Sequence, residues 1–445
     1  MPDYLFVTGK LAAPALRATL EAMKPAFSFA VAVLNISVAA FMDSPWIAKH
    51  LANARGCRTV MIPGLCQGDP RIIEDRLGVP VVRGPADLKD LPVHFGGKRD
   101  MTGYGAHRVK ILAEITQAHS LSHEAILAQA RYYKASGADF IDLGGPPSGG
   151  LPQVEAIIAM LKGEGLAVSL DSFDEETILR ADRAGVDMVL SVNSRNLDVA
   201  RGLKAKVVVV PDPGDGLESL ERNSARLAAW GVAHVLDPIL EPIGFGLSRS
   251  LWRFQEVRER HPEAEMLMGL GNVTELTEAD STGITALLAG VLAELNIDFA
   301  LTTEVAAWTR GAVQELDRAR KLMHYAVQGH ILPKGLDDAL LTIKDPAHAE
   351  YSEAELRQLK ANIRDKNFRI FVRGGLIIVL NRDVFIQGSD PAEIFPRLQV
   401  ADAAHAFYLG RELERAATAL RLGKKYTQEA PLRFGYLSRN PEVSP

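Results

Sequence analysis

The sequence predicts an α/β protein built around a (β/α)8 TIM barrel, with an N-terminal α/β (Rossmann-like) domain and a small C-terminal α+β domain. Eight short apolar runs lie between residues 109 and 302, and each is followed by a stretch with the apolar spacing of a helix. Eight such units over residues 109–327 match the number and size of a closed parallel barrel. Val207–Val210 is apolar throughout, as is typical of strands buried on both faces.

The N-terminal domain is predicted to span residues 1–106. Three apolar runs predict buried strands: Tyr4–Val7, Phe29–Leu34 and Thr59–Ile62. Amphipathic stretches at residues 13–22 and 45–54 separate them, and this alternation favours a small layered domain with a parallel sheet. Residues 94–107 are rich in glycine and charge, which indicates a linker.

The barrel domain is predicted to span residues 107–328. Its predicted strands are Val109–Ile115, Phe140–Leu143, Ala167–Asp171, Met188–Asn193, Val207–Val210, His234–Asp237, Met266–Gly269 and Phe299–Thr302. An open doubly wound sheet uses similar units, but eight evenly spaced units favour closure into a barrel.

The C-terminal domain is predicted to span residues 329–445. Gly374 and Gly375 stand between two β-rich runs, which is a hairpin signal. A long amphipathic helix follows at residues 401–424. Two interpretations of its apolar face stay open: packing on its own hairpin, or the interface of a homodimer.

Composition excludes several functional classes. A net charge of −5 on 445 residues gives no electrostatic reason to expect nucleic acid or an anionic membrane as partner. Two cysteines, Cys57 and Cys66, are too few for a disulfide framework and are expected to be reduced. The beginning of the chain lacks the pattern of a signal peptide, and no apolar run has the length of a membrane span. We therefore expect a cytoplasmic protein.

Polar residues end almost every predicted barrel strand, and the carboxyl ends of barrel strands share one rim. They are Glu114, Asp142, Asp171, Asn193, Asp237, Asn272 and Glu304. Helix capping is the competing interpretation of each residue alone, because Asp, Asn, Ser and Thr are preferred N-caps. Several carboxylates buried together cost several kcal/mol unless they are paired, which favours a ligand rich in hydrogen-bond donors, or a metal.

A phosphate site is predicted after the sixth strand. Gly244 and Gly246 open a helix that contains Arg249, and backbone amides at a helix start can hold phosphate. Arg195 and Arg310 are further candidates for phosphate contacts, the alternative being solvated helix residues. His119 and His123 have the spacing of a metal pair on a helix, but solvated residues are the favoured interpretation.

Four strings carry a resemblance to a known family. GADFIDLGG (137–145), VSLDSF (168–173), GVDMVLSVN (185–193) and LDPILEPIGFG (236–246) resemble, in order and spacing, the pterin-binding barrel of dihydropteroate synthase. The resemblance implies that Asp171, Asn193 and Asp237 contact a pterin, with Asp142 and Asn272 beside them.

The chain departs from that family at three strand ends. Glu114-Ile115-Thr116 stands where Asn-Val-Thr is usual, Gly271-Asn272-Val273 replaces Ser-Arg-Lys, and Thr302-Thr303-Glu304 replaces Arg-Val-His. These changes put the usual handling of diphosphate and of free p-aminobenzoate in doubt. GLGN (269–272) is instead similar to a string of pterin-dependent, corrinoid-linked methyltransferases.

The whole chain resembles the dihydropteroate synthase-like family of organisms that use tetrahydromethanopterin, most specifically in HAFYLGRELERAATALRLGKKYTQ (405–428). The resemblance implies that 6-hydroxymethyl-dihydropterin diphosphate is joined to an aryl amine, ribofuranosylaminobenzene 5′-phosphate, with release of diphosphate. We hypothesise that Asp237 holds the pterin and that Mg²⁺ offsets the charge of the diphosphate. Glu114 is then a metal ligand or a general base, and the metal ligand is favoured because an aryl amine is already neutral at pH 7. Two alternatives stay open: a pterin-dependent methyltransferase, which Asn272 favours, and a non-catalytic pterin-binding protein.

Overall fold

The structure is a computed structural model that describes residues 2–97, 101–146, 149–346 and 348–438. The chain divides into two compact units, Met1–Thr102 and Gly103–Pro445. The division falls inside the predicted linker at residues 94–107, of which residues 98–100 lie outside the described part. The barrel and the C-terminal segment belong to one unit.

The N-terminal unit is a parallel four-stranded sheet with helices on both faces. Its strands are β1 (Tyr4–Thr8), β2 (Phe29–Val33), β3 (Thr59–Ile62) and β4 (Val81–Arg83), in the order β2-β1-β3-β4. Its helices are α1 (Ala13–Met23), α2 (Ser44–His50), α3 (Arg71–Leu77) and α4 (Leu91–His94). Alternation along β1 explains the two layers, because Phe6 packs with α1 and α4, whereas Leu5 packs with α2 and α3.

All eight predicted barrel strands are present. They are β5 (Lys110–Ile115), β6 (Phe140–Gly144), β7 (Ala167–Asp171), β8 (Met188–Val192), β9 (Lys206–Val209), β10 (His234–Leu236), β11 (Leu267–Gly269) and β12 (Phe299–Thr302). They pair in parallel from β5 to β10, and β5 also pairs with β12, which pairs with β11. A parallel bridge between Leu236 and Met266 closes the ring between β10 and β11. The predicted (β/α)8 barrel is therefore confirmed.

Helices surround the barrel strands. They are α5 (His123–Ala135), α6 (Val154–Gly163), α7 (Glu175–Arg183), α8 (Leu217–Ala229), α9 (Leu247–Arg260), α10 (Gly271–Thr274), α11 (Ser281–Glu294) and α12 (Ala312–Gln328). The connection after β8 is a short 3-10 helix, Leu197–Gly202. It follows a turn in which the Asn196 side chain accepts a hydrogen bond from the Asn193 amide at 2.9 Å, a local bond that competes with α-helical pairing.

The barrel interior is solid at its lower levels, so only its mouth is open to a ligand. Side chains from alternating positions of the strands fill it, including Leu112, Met188, Val208, Val235 and Phe299, each at most 2% exposed. Closely packed layers of this kind leave the functional space at the carboxyl ends of the strands.

The C-terminal segment of the second unit contains a small antiparallel sheet. Its elements are α13 (Glu353–Asn362), β13 (Arg369–Arg373), β14 (Leu376–Leu380), β15 (Phe385–Gly388), α14 (Pro391–Ile394) and α15 (Ala403–Leu422). Gly374 and Gly375, at φ 56° and 79°, make the predicted hairpin turn. Leu409 and Leu413 of α15 pack on the hairpin, whereas Phe407 is 74% exposed. In the described part of the chain, no helix is long and apolar enough to cross a membrane.

Candidate active site at the carboxyl ends of the barrel strands

A cavity of about 510 Å³ lies at the mouth of the barrel. Its walls come from the carboxyl ends of the strands and from the loops that follow them. Five of the residues predicted from the sequence line it: Glu114, Asp171, Asn193, Asp237 and Asn272. A volume of this size lies in the range of small-molecule sites, which usually combine an apolar lining with a few placed polar groups.

Asp142 lies beneath this cavity rather than on its wall. Register places Asp142 below Asp171, because Asp142 of β6 pairs with Ser169 of β7, two residues before Asp171. Asp142 is completely buried, and its Oδ1 accepts a 2.6 Å hydrogen bond from the Ser169 hydroxyl. Its Oδ2 is buried without a hydrogen-bond partner in the described residues. Burial, followed by the charges of Asp171 and Glu114, raises the pKa of Asp142 well above its ordinary value. The sequence predicts that Asp142 contacts a pterin, but its carboxyl group is completely buried and does not line the cavity.

Asp171, the last residue of β7, presents a carboxyl group to the cavity. Burial raises its pKa, and a hydrogen bond from Ser191 opposes that shift. Its Oδ1 is buried and finds no hydrogen-bond partner among the residues described. Ser191 itself has φ 63°, at a break in the pairing of β8 with β9. A left-handed non-glycine residue inside a strand is uncommon and is often found where a functional side chain is aimed.

Glu114 and Gly144 make a close pair. A Cβ atom at Gly144 would lie 2.6 Å from the Glu114 Oε1 atom, so any larger residue at position 144 would require the carboxyl group to move from its present position. Burial, and then the charges of Asp171 and Glu275, raise the pKa of Glu114 to about 7. Glu114 is therefore able both to release and to accept a proton near neutral pH.

Asp237 is held by the turn that follows β10. Its Oδ1 accepts a 2.8 Å hydrogen bond from the amide of Ile239, which has φ 62°. The Ile239 carbonyl accepts a 2.8 Å hydrogen bond from the Arg253 guanidinium. Burial raises the pKa of Asp237 to about 7, although the Ile239 amide and Arg253 both oppose the shift. A β-branched residue at positive φ is strained, which is typical of functional sites.

The two amide residues are oriented by the backbone. Asn193 is 5% exposed and its Oδ1 accepts a 3.0 Å hydrogen bond from the Arg195 amide. The Asn272 Nδ2 donates a 2.8 Å hydrogen bond to the Leu240 carbonyl. Both side chains are thus fixed at the cavity wall with part of their hydrogen-bonding capacity unused.

The predicted phosphate residues do not line this cavity. Gly246 and Arg249 line an adjoining cavity of about 500 Å³, together with the exposed aromatic residues Phe245 and Trp252. Gly244 lies in the exposed loop before it. The two cavities share residues 214–216, Glu241 and Arg253. The predicted phosphate site therefore borders the carboxylate site, and neither Arg195 nor Arg310 lines either cavity.

The sequence interpretation missed Arg253 and Glu275. Arg253 is the only Lys or Arg among the described residues that line the carboxylate cavity, and its Nε is buried without a hydrogen-bond partner there. A usable signal was present, because Arg253 follows Arg249 by four residues and such residues share one helix face. The loop at residues 211–216 follows the fifth barrel strand and contains Asp212 and Asp215. It also lines the cavity and was not predicted from the sequence.

The described residues contain no cluster of three or more His, Cys, Asp or Glu side chains arranged to hold a metal ion. Glu114 and its neighbours therefore do not by themselves fit a resident Mg²⁺. Magnesium bound mainly by substrate phosphates needs only one or two protein carboxylates, and it would not require such a cluster.

Two family models match the chain. Residues 2–86 match a family of unknown function, DUF6513, and residues 375–429 match the family PterinBD-DUF4346. An uncharacterized protein of Methanocaldococcus jannaschii is 29% identical, over 96% of this chain and 98% of the relative.

Among solved structures, the chain is similar to dihydropteroate synthases. That of Yersinia pestis with a pterine-sulfa conjugate is 18% identical and covers 50% of this chain and 94% of its own, at a TM-score of 0.40. That of Vibrio fischeri is 17% identical with the same coverage and TM-score. The dihydropteroate synthase of Clostridium difficile in the presence of pteroic acid is 21% identical, with 49% and 97% covered, at 0.40.

Proposed function

We propose that this chain is a pterin-binding transferase of the dihydropteroate synthase type. It would join 6-hydroxymethyl-dihydropterin diphosphate to an aryl amine and release diphosphate. One observation carries the proposal: Asp171, Asn193 and Asp237, at or directly after the ends of three separate strands, line one cavity. The match of residues 375–429 to a family whose name denotes pterin binding supports it.

The cavity suits a flat heterocycle rich in N–H donors. Asp171 and Asp237 present buried carboxyl groups, and one oxygen of Asp171 has no hydrogen-bond partner in the described structure. Ring N–H and amino groups of a pterin would donate to these oxygens. Such hydrogen bonds stabilise the ionised carboxylates, so binding would lower their pKa values and recover part of the cost of burial.

The proposed reaction is a substitution at the pterin methylene carbon. The bond between that carbon and the diphosphate oxygen breaks, and a bond from the amine nitrogen forms. Positive charge that develops on the carbon faces the carboxylates of Asp171 and Asp237, which is electrostatic stabilisation of the transition state. The amine nitrogen loses one proton, and Glu114, which lines the cavity and has a pKa of about 7, would accept it.

The residues of the adjoining cavity favour an amine substrate that is larger than p-aminobenzoate. Trp252 and Phe245 are 58% and 81% exposed there, and they offer faces for an aromatic ring. Arg249 lines the same cavity and, among the described residues, has no acidic partner, whereas Arg253 pairs with Glu241. We infer that the aryl amine carries a phosphate, as in ribofuranosylaminobenzene 5′-phosphate, and that the product serves tetrahydromethanopterin synthesis.

The experiment incubates the full chain with 6-hydroxymethyl-dihydropterin diphosphate, Mg²⁺ and either p-aminobenzoate or ribofuranosylaminobenzene 5′-phosphate. It measures the released diphosphate and the coupled product. The proposal expects both in equal amounts, and their loss in Asp237→Asn. Pterin binding without diphosphate release would instead support a non-catalytic pterin-binding protein, which the scarcity of cations in the carboxylate cavity favours. Methyl transfer from a reduced pterin would support the methyltransferase alternative, which Asn272 on the cavity wall favours.

A further inference from the structure

The N-terminal unit contains a cavity that the proposed function does not use. It has a volume of about 190 Å³ and lies where β1, β3 and β4 end. The chain leaves β1 through α1 toward β2 on one side, and it returns through α2 to β3 on the other side. The cavity therefore lies at the carboxyl ends of parallel strands, beside the point where the strand order reverses. That is the usual place for a ligand in an open α/β sheet.

The lining restricts the charge of an occupant. The described residues around the cavity include no Asp, Glu, Lys, Arg or His, and its side chains are almost all apolar, such as Phe6, Leu16, Met61 and Leu88. Thr8, which is 3% exposed, supplies the one hydroxyl. Transfer of a charged group into such a lining without a partner is strongly unfavourable. The side chains of the lining therefore favour an occupant that is neutral and mostly apolar.

The volume restricts its size. An apolar cavity of about 150 Å³ in a protein interior is large enough to bind benzene. The present cavity is somewhat larger, so it admits a substituted six-membered ring or a small fused ring. It does not have the room of the 510 Å³ barrel cavity.

The wall of the cavity is fixed by glycine. A Cβ atom at Gly64 would lie 2.4 Å from the Pro85 carbonyl carbon and oxygen, so the loops that follow β3 and β4 touch only because residue 64 is glycine. A Cβ atom at Gly9, directly after β1, would lie 2.9 Å from the Ile36 carbonyl oxygen. The loops that follow β1, β3 and β4 are thus all held by close backbone contacts, so the backbone itself defines the space between them.

We propose that this cavity of the N-terminal unit binds a small, neutral ring compound. The site is separate in chemistry from the barrel mouth, where carboxylates dominate the lining. It stands independently of the proposed transferase activity, because it rests only on residues of the N-terminal unit.

The test uses indole as the neutral probe and benzoate as a charged ring of similar size. The full chain is labelled with carbon-13 at its methionine methyl groups, and Met61→Leu identifies the Met61 signal. We expect indole to shift that signal saturably, with one molecule bound per chain, and benzoate to leave it unchanged. No saturable shift with indole, or an equal shift with benzoate, would overturn the proposal.

Two substitutions in different loops enlarge partly buried residues of the cavity lining: Ala12→Trp and Leu88→Trp. Each is expected to weaken indole binding at least tenfold while circular dichroism stays unchanged. The matched control is Ala22→Trp, at an exposed position of α1 outside the lining, which should bind indole as the parent chain does. Binding that survives in both cavity variants would show that indole binds elsewhere and would refute the site.

Discussion

Arg253 donates a 2.8 Å hydrogen bond to the carbonyl oxygen of Ile239, and this contact joins helix α9 to the turn that positions Asp237. Ile239 has φ 62°, where a β-branched side chain is strained by about 1–3 kcal/mol. The Arg253 side chain is 17% exposed, so the hydrogen bond is largely shielded from water. Arg253 therefore compensates for the strain that aims Asp237 into the cavity.

Substitution of Arg253 should weaken pterin binding through this turn. In Arg253→Ala the Ile239 turn is free to relax, and we expect the affinity for a pterin to fall about tenfold, which corresponds to about 1.4 kcal/mol. The double variant Arg253→Ala with Ile239→Gly should recover much of the affinity, because glycine adopts positive φ without strain. Calorimetric titration measures both. Arg310→Ala, an exposed residue outside the cavity, is the control, and failure of glycine to rescue would contradict the strain argument.

Asp142 should make stability fall as pH rises. Its pKa is raised in the folded chain, so between its ordinary and its raised value the folded chain holds a proton that the unfolded chain has lost. The free energy of unfolding therefore decreases as pH increases through that window. Asp142→Asn keeps an acceptor for Ser169 and carries no charge. Because the ordinary pKa of Asp is 3.8, urea unfolding should show the variant gaining stability over the parent from about pH 4 upward, with a larger gain at pH 8 than at pH 4; equal effects at both pH values would disprove the assignment.

Glu114→Gln should separate binding from chemistry. Glutamine keeps the size of the side chain but cannot accept the amine proton, so we expect pterin affinity within about threefold of the parent and a rate of diphosphate release lower by about 10²–10⁴. In the parent chain the rate should rise with pH around 7, where Glu114 loses its proton. A variant with the parent's rate and pH profile would remove Glu114 as the base.

Gly144→Ala should displace the Glu114 carboxyl group. The added methyl group would lie 2.6 Å from Glu114 Oε1, so the side chain must move, and we expect turnover to fall at least tenfold. Gly163→Ala, near the end of α6, is the matched control because its Cβ would meet nothing within 4 Å. Steady-state assays compare the two. Equal turnover in both variants would mean that Glu114 has room to adjust without loss.

Arg249→Ala should affect only a phosphorylated acceptor. If Arg249 contacts the phosphate of the aryl amine, the KM for ribofuranosylaminobenzene 5′-phosphate should rise about tenfold or more, since a hydrogen bond to a charged group contributes about 1.5–3 kcal/mol. The KM for an unphosphorylated aryl amine should not change. Parallel kinetics with the two amines provide the comparison, and equal effects on both would argue that Arg249 acts on the fold or on the diphosphate.

The barrel could be predicted from the sequence because its signal is local. Buried parallel strands are apolar runs such as Val207–Val209, and eight of them alternate with helices. The short β4 was not predicted, because two of its three residues, Val82 and Arg83, are exposed and its run has no clear pattern. The 3-10 helix after β8 was expected only as a helical stretch, since the side-chain hydrogen bond of Asn196 that shapes its start depends on the folded turn.

By itself, the sequence determined which polar residues end the strands, because chain order and strand period place Glu114, Asp171, Asn193 and Asp237 on one rim. Only the tertiary structure decided that Asp142 lies under the cavity while Asp171 lines it, since that depends on the register of β6 against β7. Only the tertiary structure likewise decided that Arg253 lines the carboxylate cavity, whereas Arg249 lines only the adjoining cavity. The packing of a helix against its sheet determines which of its residues face a given cavity, and the spacing of residues along the chain does not.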